Sequence, residues 1–107
     1  MKSFLTGSHV YGKPTKDSDI DLVVRISLKD EERLIQLSDT QTLPIRFGNL
    51  NLIAATTDED FAGWALAKHT CVQRSKELKR KLTKEESIAI HEDVRATAYL
   101  NYGSNSE

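Results

Sequence analysis

The 107-residue chain has little cysteine, proline and tryptophan, and it has no long apolar run. Its single cysteine, Cys71, cannot form an internal disulfide, so a reducing compartment such as the cytoplasm is the simplest setting. No run of about 18 apolar residues is present, which argues against a membrane-spanning helix. The N-terminal residues turn polar too early for a secretory signal. These absences favour a cytoplasmic protein without a membrane anchor.

The charges are nearly balanced, with 15 Lys and Arg against 16 Asp and Glu and a formal net charge of −1. A balanced net charge gives no indication of non-specific nucleic-acid binding by the domain as a whole. With 38% hydrophobic and 29% charged residues, the composition predicts one soluble globular domain with a modest core. We place that domain at residues 1–103 and interpret residues 104–107 as a polar tail.

Residues 7–21 combine two features that suit phosphate and metal binding. The glycine of Gly7-Ser8 lets the backbone approach an anion, and the serine hydroxyl and nearby N–H groups can hold phosphate oxygens. Asp19 and Asp21 open an apolar segment, where the strand period of two puts both carboxylates on one face. Two close carboxylates repel by roughly 4 kcal/mol at an effective dielectric near 20, and a divalent cation relieves that repulsion. Mg²⁺ favours one or two carboxylates together with substrate phosphates.

This stretch resembles the signature of the DNA polymerase β-like nucleotidyltransferases, and most of all the minimal nucleotidyltransferases of bacteria, archaea and phages. The matching positions are Gly7, Ser8, Gly12, Ser18, Asp19, Asp21 and Leu22. The resemblance implies an α+β (α/β) fold in which a small mixed sheet of about four strands is packed by two or three helices. The alternative interpretation of residues 7–21 is a turn-rich hairpin whose second strand starts with solvent-exposed acidic residues.

The resemblance also implies a reaction and its site. Asp19 and Asp21 would hold Mg²⁺ or Mn²⁺, and a nucleoside monophosphate would pass from a nucleoside triphosphate to a hydroxyl acceptor. The residues expected at the nucleotide phosphates are Gly7, Ser8, His9, Gly12 and Ser18. His9 either touches a phosphate or base or is simply an exposed loop residue. The acceptor could be a protein side chain, a tRNA end or a small molecule, and a partner protein or a homodimer could complete the site.

Asn51 stands where the resembled family carries a third aspartate, which helps to hold the metal and takes the proton of the attacking hydroxyl. An amide oxygen binds a metal weakly and cannot act as a base, and general-base assistance is worth roughly 10² to 10⁴ in rate. Two hypotheses therefore stay open. The chain is either a nucleotidyltransferase or a catalytically degenerate fold that binds a nucleotide or a protein partner.

Periodicity and turn signals predict the remaining elements. Strands are expected at 2–6, 19–25, 45–47 and 50–55, and helices at 28–38, 58–81 and 83–102. Gly48-Asn49 indicates a two-residue hairpin, Ser27 and Thr57 are candidate N-caps, and Gly103 is the expected C-cap of the last helix. The residues expected to be buried include Leu34, Ile35, Leu37, Cys71 and Trp64, whereas His91 is expected at the surface.

A basic cluster follows the middle of the chain. Its members are Arg74, Lys76, Lys79, Arg80, Lys81 and Lys84. The cluster could contact a nucleic-acid backbone, but Glu77, Glu85 and Glu86 interleave with it. A solvated, salt-bridged surface is the other interpretation.

Overall fold

The computed structural model describes residues 2–105, with side chains as far as residue 96. The elements in chain order are β1 (Ser3–Thr6), α1 (Ser8–Tyr11), β2 (Ile20–Arg25), α2 (Leu28–Leu37), β3 (Ile45–Phe47), β4 (Leu50–Ala55), α3 (Asp58–Leu78) and α4 (Lys84–Asn105). The predicted α+β class with a four-stranded mixed sheet is confirmed. The described residues form four helices, one more than the upper expectation, because the turn after Gly7 is itself a single helical turn.

The four strands form one open sheet in the order β1-β2-β4-β3. β2 pairs in parallel with β4 and antiparallel with β1, whereas β3 and β4 form an antiparallel hairpin. Pairing in register aligns Thr6, Asp21, Asn51 and Arg46 in one row across all four strands. Directly paired residues project to the same face of a sheet, so this row places four polar side chains side by side.

Two predicted helix starts are confirmed by their hydrogen bonds. The Ser27 hydroxyl accepts a hydrogen bond of 3.1 Å from the backbone N–H of Asp30, and the Thr57 hydroxyl accepts one of 3.1 Å from Asp60. Each bond satisfies an N–H that the helix itself leaves without a partner. The hairpin at Gly48-Asn49 is also confirmed, with Gly48 at a φ of 62°.

The start of α4 combines a capping box with an ion pair. Thr83 and Glu86 exchange side-chain-to-backbone hydrogen bonds of 2.8 and 3.2 Å, as the sequence predicts. Arg80 donates two further hydrogen bonds of 2.7 and 2.8 Å to the Glu86 carboxylate. These bonds from Arg80, followed by those from Thr83, lower the pKa of Glu86 to about 2. Part of the basic cluster is therefore paired with an acidic neighbour.

One part of the core lies between the sheet and α3, and a second part lies between α1, α3 and the segment before α4. Its most buried members are Tyr11, Val23, Val24, Ile45, Ala55, Ala67, Cys71 and Leu82. Tyr11, Cys71 and Leu82 form one cluster, which joins α1 to α3 and to the segment before α4. The backbone N–H of Leu82 also donates to the Tyr11 carbonyl oxygen at 2.9 Å. The burial predicted for Cys71 is confirmed, and α1 is anchored although it has only one turn.

Several sequence-based expectations are wrong. No residue of α2 is fully buried, because this helix packs only weakly on the other elements: Leu34 and Ile35 are half-buried, and Leu37 is 73% exposed. α3 ends at Leu78 instead of Lys81, since Lys79 takes a left-handed conformation with a φ of 55°. α4 does not end at Gly103 but continues to Asn105.

None of the helices in the described part of the chain has the length and hydrophobicity that a membrane span requires.

Candidate active site

The Gly7-Ser8 turn connects β1 to α1 and lies directly against Asp21. Gly7 has a φ of 82° and a ψ of −164°, a conformation that is essentially restricted to glycine. A Cβ at this position would overlap the Asp21 carboxylate oxygen Oδ2 and lie 3.0 Å from its Cγ. The turn and the second carboxylate are therefore in van der Waals contact, which brings the two halves of the 7–21 stretch together.

Gly12 allows the chain to leave α1 over the backbone of Ser8. Its N–H donates to the Ser8 carbonyl oxygen at 3.0 Å, and a Cβ at position 12 would lie 2.8 Å from the Ser8 Cα. Real Cβ atoms do not approach another carbon so closely. The glycine at position 12 thus shapes the turn that presents Ser8.

His9 and Ser18 lie close together at the far end of the loop. The Ser18 hydroxyl accepts a hydrogen bond of 2.7 Å from the Thr15 N–H, which closes the turn at residues 15–18. The exposed His9 ring lies 3.2 Å, through Nε2, from the Ser18 carbonyl oxygen. Both residues hold the loop that leads into Asp19, and His9 is on its exposed side.

The two carboxylates and Asn51 meet at the start of β2, and each carboxylate already has a partner. Asn51 donates from Nδ2 to Asp21 Oδ1 at 3.0 Å. Arg46 of β3 forms an ion pair with Asp19, with Nη1 2.7 Å from Oδ2. Asp19, Asp21, Arg46 and Asn51 together carry a single net negative charge at neutral pH. We call them the polar quartet.

Asn51 keeps its amide oxygen free inside this group. Oδ1 is buried and has no hydrogen-bond partner among the described residues. The orientation of the amide is set by the bond from Nδ2 to the Asp21 carboxylate, since the flipped amide would place two acceptors in contact. A buried acceptor without a partner is costly, so this oxygen suits a ligand or an ion that the site takes up.

The donor atoms fit Mg²⁺ or Mn²⁺ in part. Two carboxylates and one amide oxygen are hard oxygen ligands, which these ions prefer when substrate phosphates complete the coordination. Among the described residues, no group of three or more His, Cys, Asp and Glu side chains could hold a metal by itself. The donor set of the described residues would thus suit a metal whose coordination is completed by a phosphate substrate better than a closed structural site.

A groove of about 940 Å³ extends from the polar quartet to α4. The predicted site residues along it are Gly7, Ser8, Gly12, Ser18, Asp19, Asp21 and Asn51. The opposite wall was not predicted as part of a site. It consists of Trp64 from α3 and one face of α4, which includes Ile88, His91 and Arg95.

Trp64 and His91 differ from their predicted environments. Trp64 is only half-buried, and the Arg95 guanidinium lies 4.5 Å from its ring centroid, so the ring both packs and borders the groove. His91 was expected at the surface, but it is half-buried and shares a hydrogen bond of 3.1 Å with the Tyr11 hydroxyl. Because Tyr11 is 80 positions away, only the tertiary fold could reveal this contact.

Burial shifts the pKa values of this pair in opposite directions. Burial, more than any other contribution, raises the pKa of Tyr11. It also lowers the pKa of His91, and the nearby positive charge of Arg95 lowers it further. The Tyr11 hydroxyl accepts from Thr6 at 3.3 Å, so its own proton is available to His91 Nε2. Both side chains are therefore neutral in the folded protein at pH 7, and together they join α1 to α4.

We expect acidification to weaken the fold through His91. The folded-state pKa lies below the ordinary value of 6.5, so the unfolded chain binds more protons as the pH falls through that range. The free energy of unfolding should therefore decrease as the pH falls from 7 to 5, and less steeply in His91→Gln. Urea unfolding across that range measures it, with the exposed His69→Gln as control. Equal slopes for wild type and His91→Gln would contradict this assignment.

The four-stranded mixed sheet with its helices is consistent with a nucleotidyltransferase-like fold, and comparison with known families agrees. A family model described as nucleotidyltransferase domain matches residues 2–96. The chain therefore belongs to the nucleotidyltransferase domain family, consistent with a minimal nucleotidyltransferase of the DNA polymerase β-like superfamily. No curated protein and no solved structure matches the chain.

Proposed function

We propose that the protein transfers a nucleoside monophosphate from a nucleoside triphosphate to a hydroxyl acceptor. The observation that carries this proposal is the contact between the Gly7-Ser8 turn and Asp21. It supports a substrate whose phosphates meet the turn while the neighbouring carboxylates hold a divalent cation. The family match over residues 2–96 supports nucleotidyl transfer as the reaction class.

Each residue has a defined task in this proposal. The N–H groups of the turn and the Ser8 hydroxyl bind the outer phosphates, because Gly7 and Ser8 line the groove. Asp19 and Asp21 would hold Mg²⁺, which on binding neutralises phosphate charge and orients the α-phosphorus for in-line attack. The acceptor oxygen forms a bond to that phosphorus, and the bond to pyrophosphate breaks. The acceptor's proton passes to solvent water because the amide of Asn51 cannot take it, so we expect a slow enzyme.

A binding protein is the second candidate function, and Asn51 favours it. Its Nδ2 donates a hydrogen bond to Asp21 and so occupies one carboxylate oxygen. An aspartate at position 51 would have no such donor, and that oxygen would remain available to a metal. A chain of this kind would bind a nucleoside triphosphate or a protein partner without transferring a nucleotide. A nucleotide-binding protein would differ from the enzyme only in lacking transfer, whereas a protein-binding one would also lack triphosphate binding.

Transfer of label from α-phosphate-labelled nucleoside triphosphates tests both candidates. Each nucleotide is incubated with the protein, Mg²⁺ or Mn²⁺ and a cell extract as the acceptor pool. We expect label on a protein or RNA band with wild type and a loss of at least about a hundredfold in Asp19→Asn/Asp21→Asn, because the site loses its charged ligands. Asp30→Asn is the matched control, since Asp30 is exposed at the start of α2 and does not line the groove.

The outcomes separate the two candidates. Label that persists in the double variant would overturn the assignment of the site. Metal-dependent thermal stabilisation by a triphosphate without any transfer would favour the binding protein. The identity of the labelled band would give the class of acceptor.

A further inference from the structure

The polar quartet contains its own cation. Arg46 reaches from β3 to Asp19 and places Nη1 2.7 Å from Oδ2, where a divalent cation would otherwise find a ligand. The side chains of Arg46 and Asp19 are 40% and 32% exposed, so water reaches the pair and it can open. An ion pair of this exposure contributes only a modest free energy, and another cation can replace it.

The geometry of the hairpin keeps Arg46 at this place. Arg46 and Asn51 are directly paired across the antiparallel strands β3 and β4, and Asn51 is paired with Asp21. Arg46 therefore lies on the same face of the sheet as Asn51 and Asp21 because of its register rather than by a chance rotamer. Asn51, which is paired with both Arg46 and Asp21 in the sheet, donates a hydrogen bond to Asp21. Each carboxylate thus has one oxygen engaged by a residue from the hairpin.

This arrangement weakens the attraction of the site for a free metal ion. Two carboxylates without a partner would present two negative charges, whereas the quartet presents a single one. A metal that arrives with a triphosphate meets a different balance. The phosphate oxygens supply additional ligands for the metal. They can also accept hydrogen bonds from the Arg46 guanidinium once it has left Asp19.

We propose that Arg46 is a displaceable counter-ion of Asp19, which disfavours the binding of metal alone and couples metal binding to the binding of a triphosphate. This inference rests on the proposed function, because it assumes that Asp19 and Asp21 hold the metal. Arg46 acts as a positioning residue that occupies Asp19 until metal and triphosphate arrive together. By linkage, the triphosphate tightens metal binding by the same factor as the metal tightens triphosphate binding.

Titration with Mn²⁺, followed by the electron paramagnetic resonance signal of the free ion, tests the proposal without any need for activity. It is carried out with and without a non-hydrolysable triphosphate. In Arg46→Gln we expect Mn²⁺ alone to bind about three- to tenfold more tightly than in wild type, as the loss of a partly exposed ion pair predicts. The factor by which the triphosphate tightens Mn²⁺ binding should decrease in the same variant.

Two variants distinguish the charge of Arg46 from its packing. Arg46→Lys keeps the charge, and because the ion pair uses a single nitrogen we expect it to bind Mn²⁺ nearly as wild type does. Arg25→Gln removes an arginine from another ion pair, Arg25 to Asp58 at 3.0 Å, which lies at the opposite end of β2 from Asp19 and Asp21. We expect no change in Mn²⁺ affinity for Arg25→Gln. Thermal unfolding confirms that each variant is folded.

Asp19→Asn separates a failure of this inference from a failure of the proposed function. If Asp19→Asn loses Mn²⁺ binding while Arg46→Gln binds as wild type does, the counter-ion proposal is overturned and the metal site stands. If Asp19→Asn binds Mn²⁺ as well as wild type, or if no form of the protein binds it with or without triphosphate, both proposals fail. Tighter binding in Arg46→Gln, unmatched by Arg25→Gln, supports both.

Discussion

Gly7→Ala should lower the free energy of unfolding by about 2 to 4 kcal/mol, since it adds backbone strain to a steric overlap. The φ of 82° and ψ of −164° at this position are strongly unfavourable for any residue with a Cβ. The added Cβ would also overlap Asp21 Oδ2 and displace a carboxylate that Asn51 holds from the other side. Metal-dependent triphosphate binding should therefore be lost in the same variant. Urea unfolding and Mn²⁺ titration measure the two effects.

Gly48→Ala is the matched control for this prediction. Gly48 also has a positive φ, of 62°, but a Cβ there would meet no atom within 4 Å. We expect it to cost about 1 kcal/mol, the ordinary penalty of a left-handed conformation, and to leave Mn²⁺ binding unchanged. The difference between the two variants then measures the close approach to Asp21. Equal costs, with Mn²⁺ binding retained in Gly7→Ala, would contradict the structural role that we assign to Gly7.

Local signals in the sequence predict those parts of the fold that local chemistry determines. Ser27 and Thr57 cap the helices that follow them, and Gly48-Asn49 closes the hairpin that positions Asn51. In each case the deciding contact lies within three residues or across a two-residue turn. The Gly7-Ser8 turn and Asp21 could also be placed together from the sequence, since residues 7–21 contain both and a single strand pairing, Thr6 with Asp21, brings them into contact.

Arg46 was not predicted as part of the site, although the sequence contains the signal. In a hairpin with a two-residue turn at positions 48 and 49, residue 47 pairs with 50, and 46 pairs with 51. Once Asn51 is placed beside Asp21, Arg46 must lie on the same face of the sheet as Asp21. The register alone would therefore have revealed a cation next to the carboxylates.

His91 and α1 could not be predicted in this way, because distant residues determine them. Four residues are too few to show helical periodicity, and α1 exists because Tyr11 is buried against Cys71 and Leu82. The sequence pattern of α4 places His91 on a polar face. Its burial follows from the hydrogen bond to Tyr11, at the other end of the chain.

Asn51→Asp should convert the polar quartet into a site that depends on metal for its stability. In wild type, Nδ2 of Asn51 donates to Asp21 at 3.0 Å, and the substitution replaces this donor with a second carboxylate oxygen. Like charges at such a distance repel, so in the presence of a chelator we expect unfolding to become easier by about 2 kcal/mol, with Arg46 offsetting part of the repulsion. Mg²⁺ or Mn²⁺ should restore that stability. Urea unfolding with chelator and with metal measures both.

The same substitution should accelerate nucleotidyl transfer by about 10² to 10⁴, because the introduced carboxylate would supply the general base that the amide of Asn51 cannot provide. Single-turnover transfer to the acceptor identified in the labelling experiment measures the rate. Asn49→Asp adds the same charge two residues away, in the exposed hairpin turn, and should change neither the rate nor the response to metal. A faster reaction would show that Asn51 limits an otherwise intact site. An unchanged rate, with stability that responds to metal, would show that this fold binds its nucleotide without transferring it.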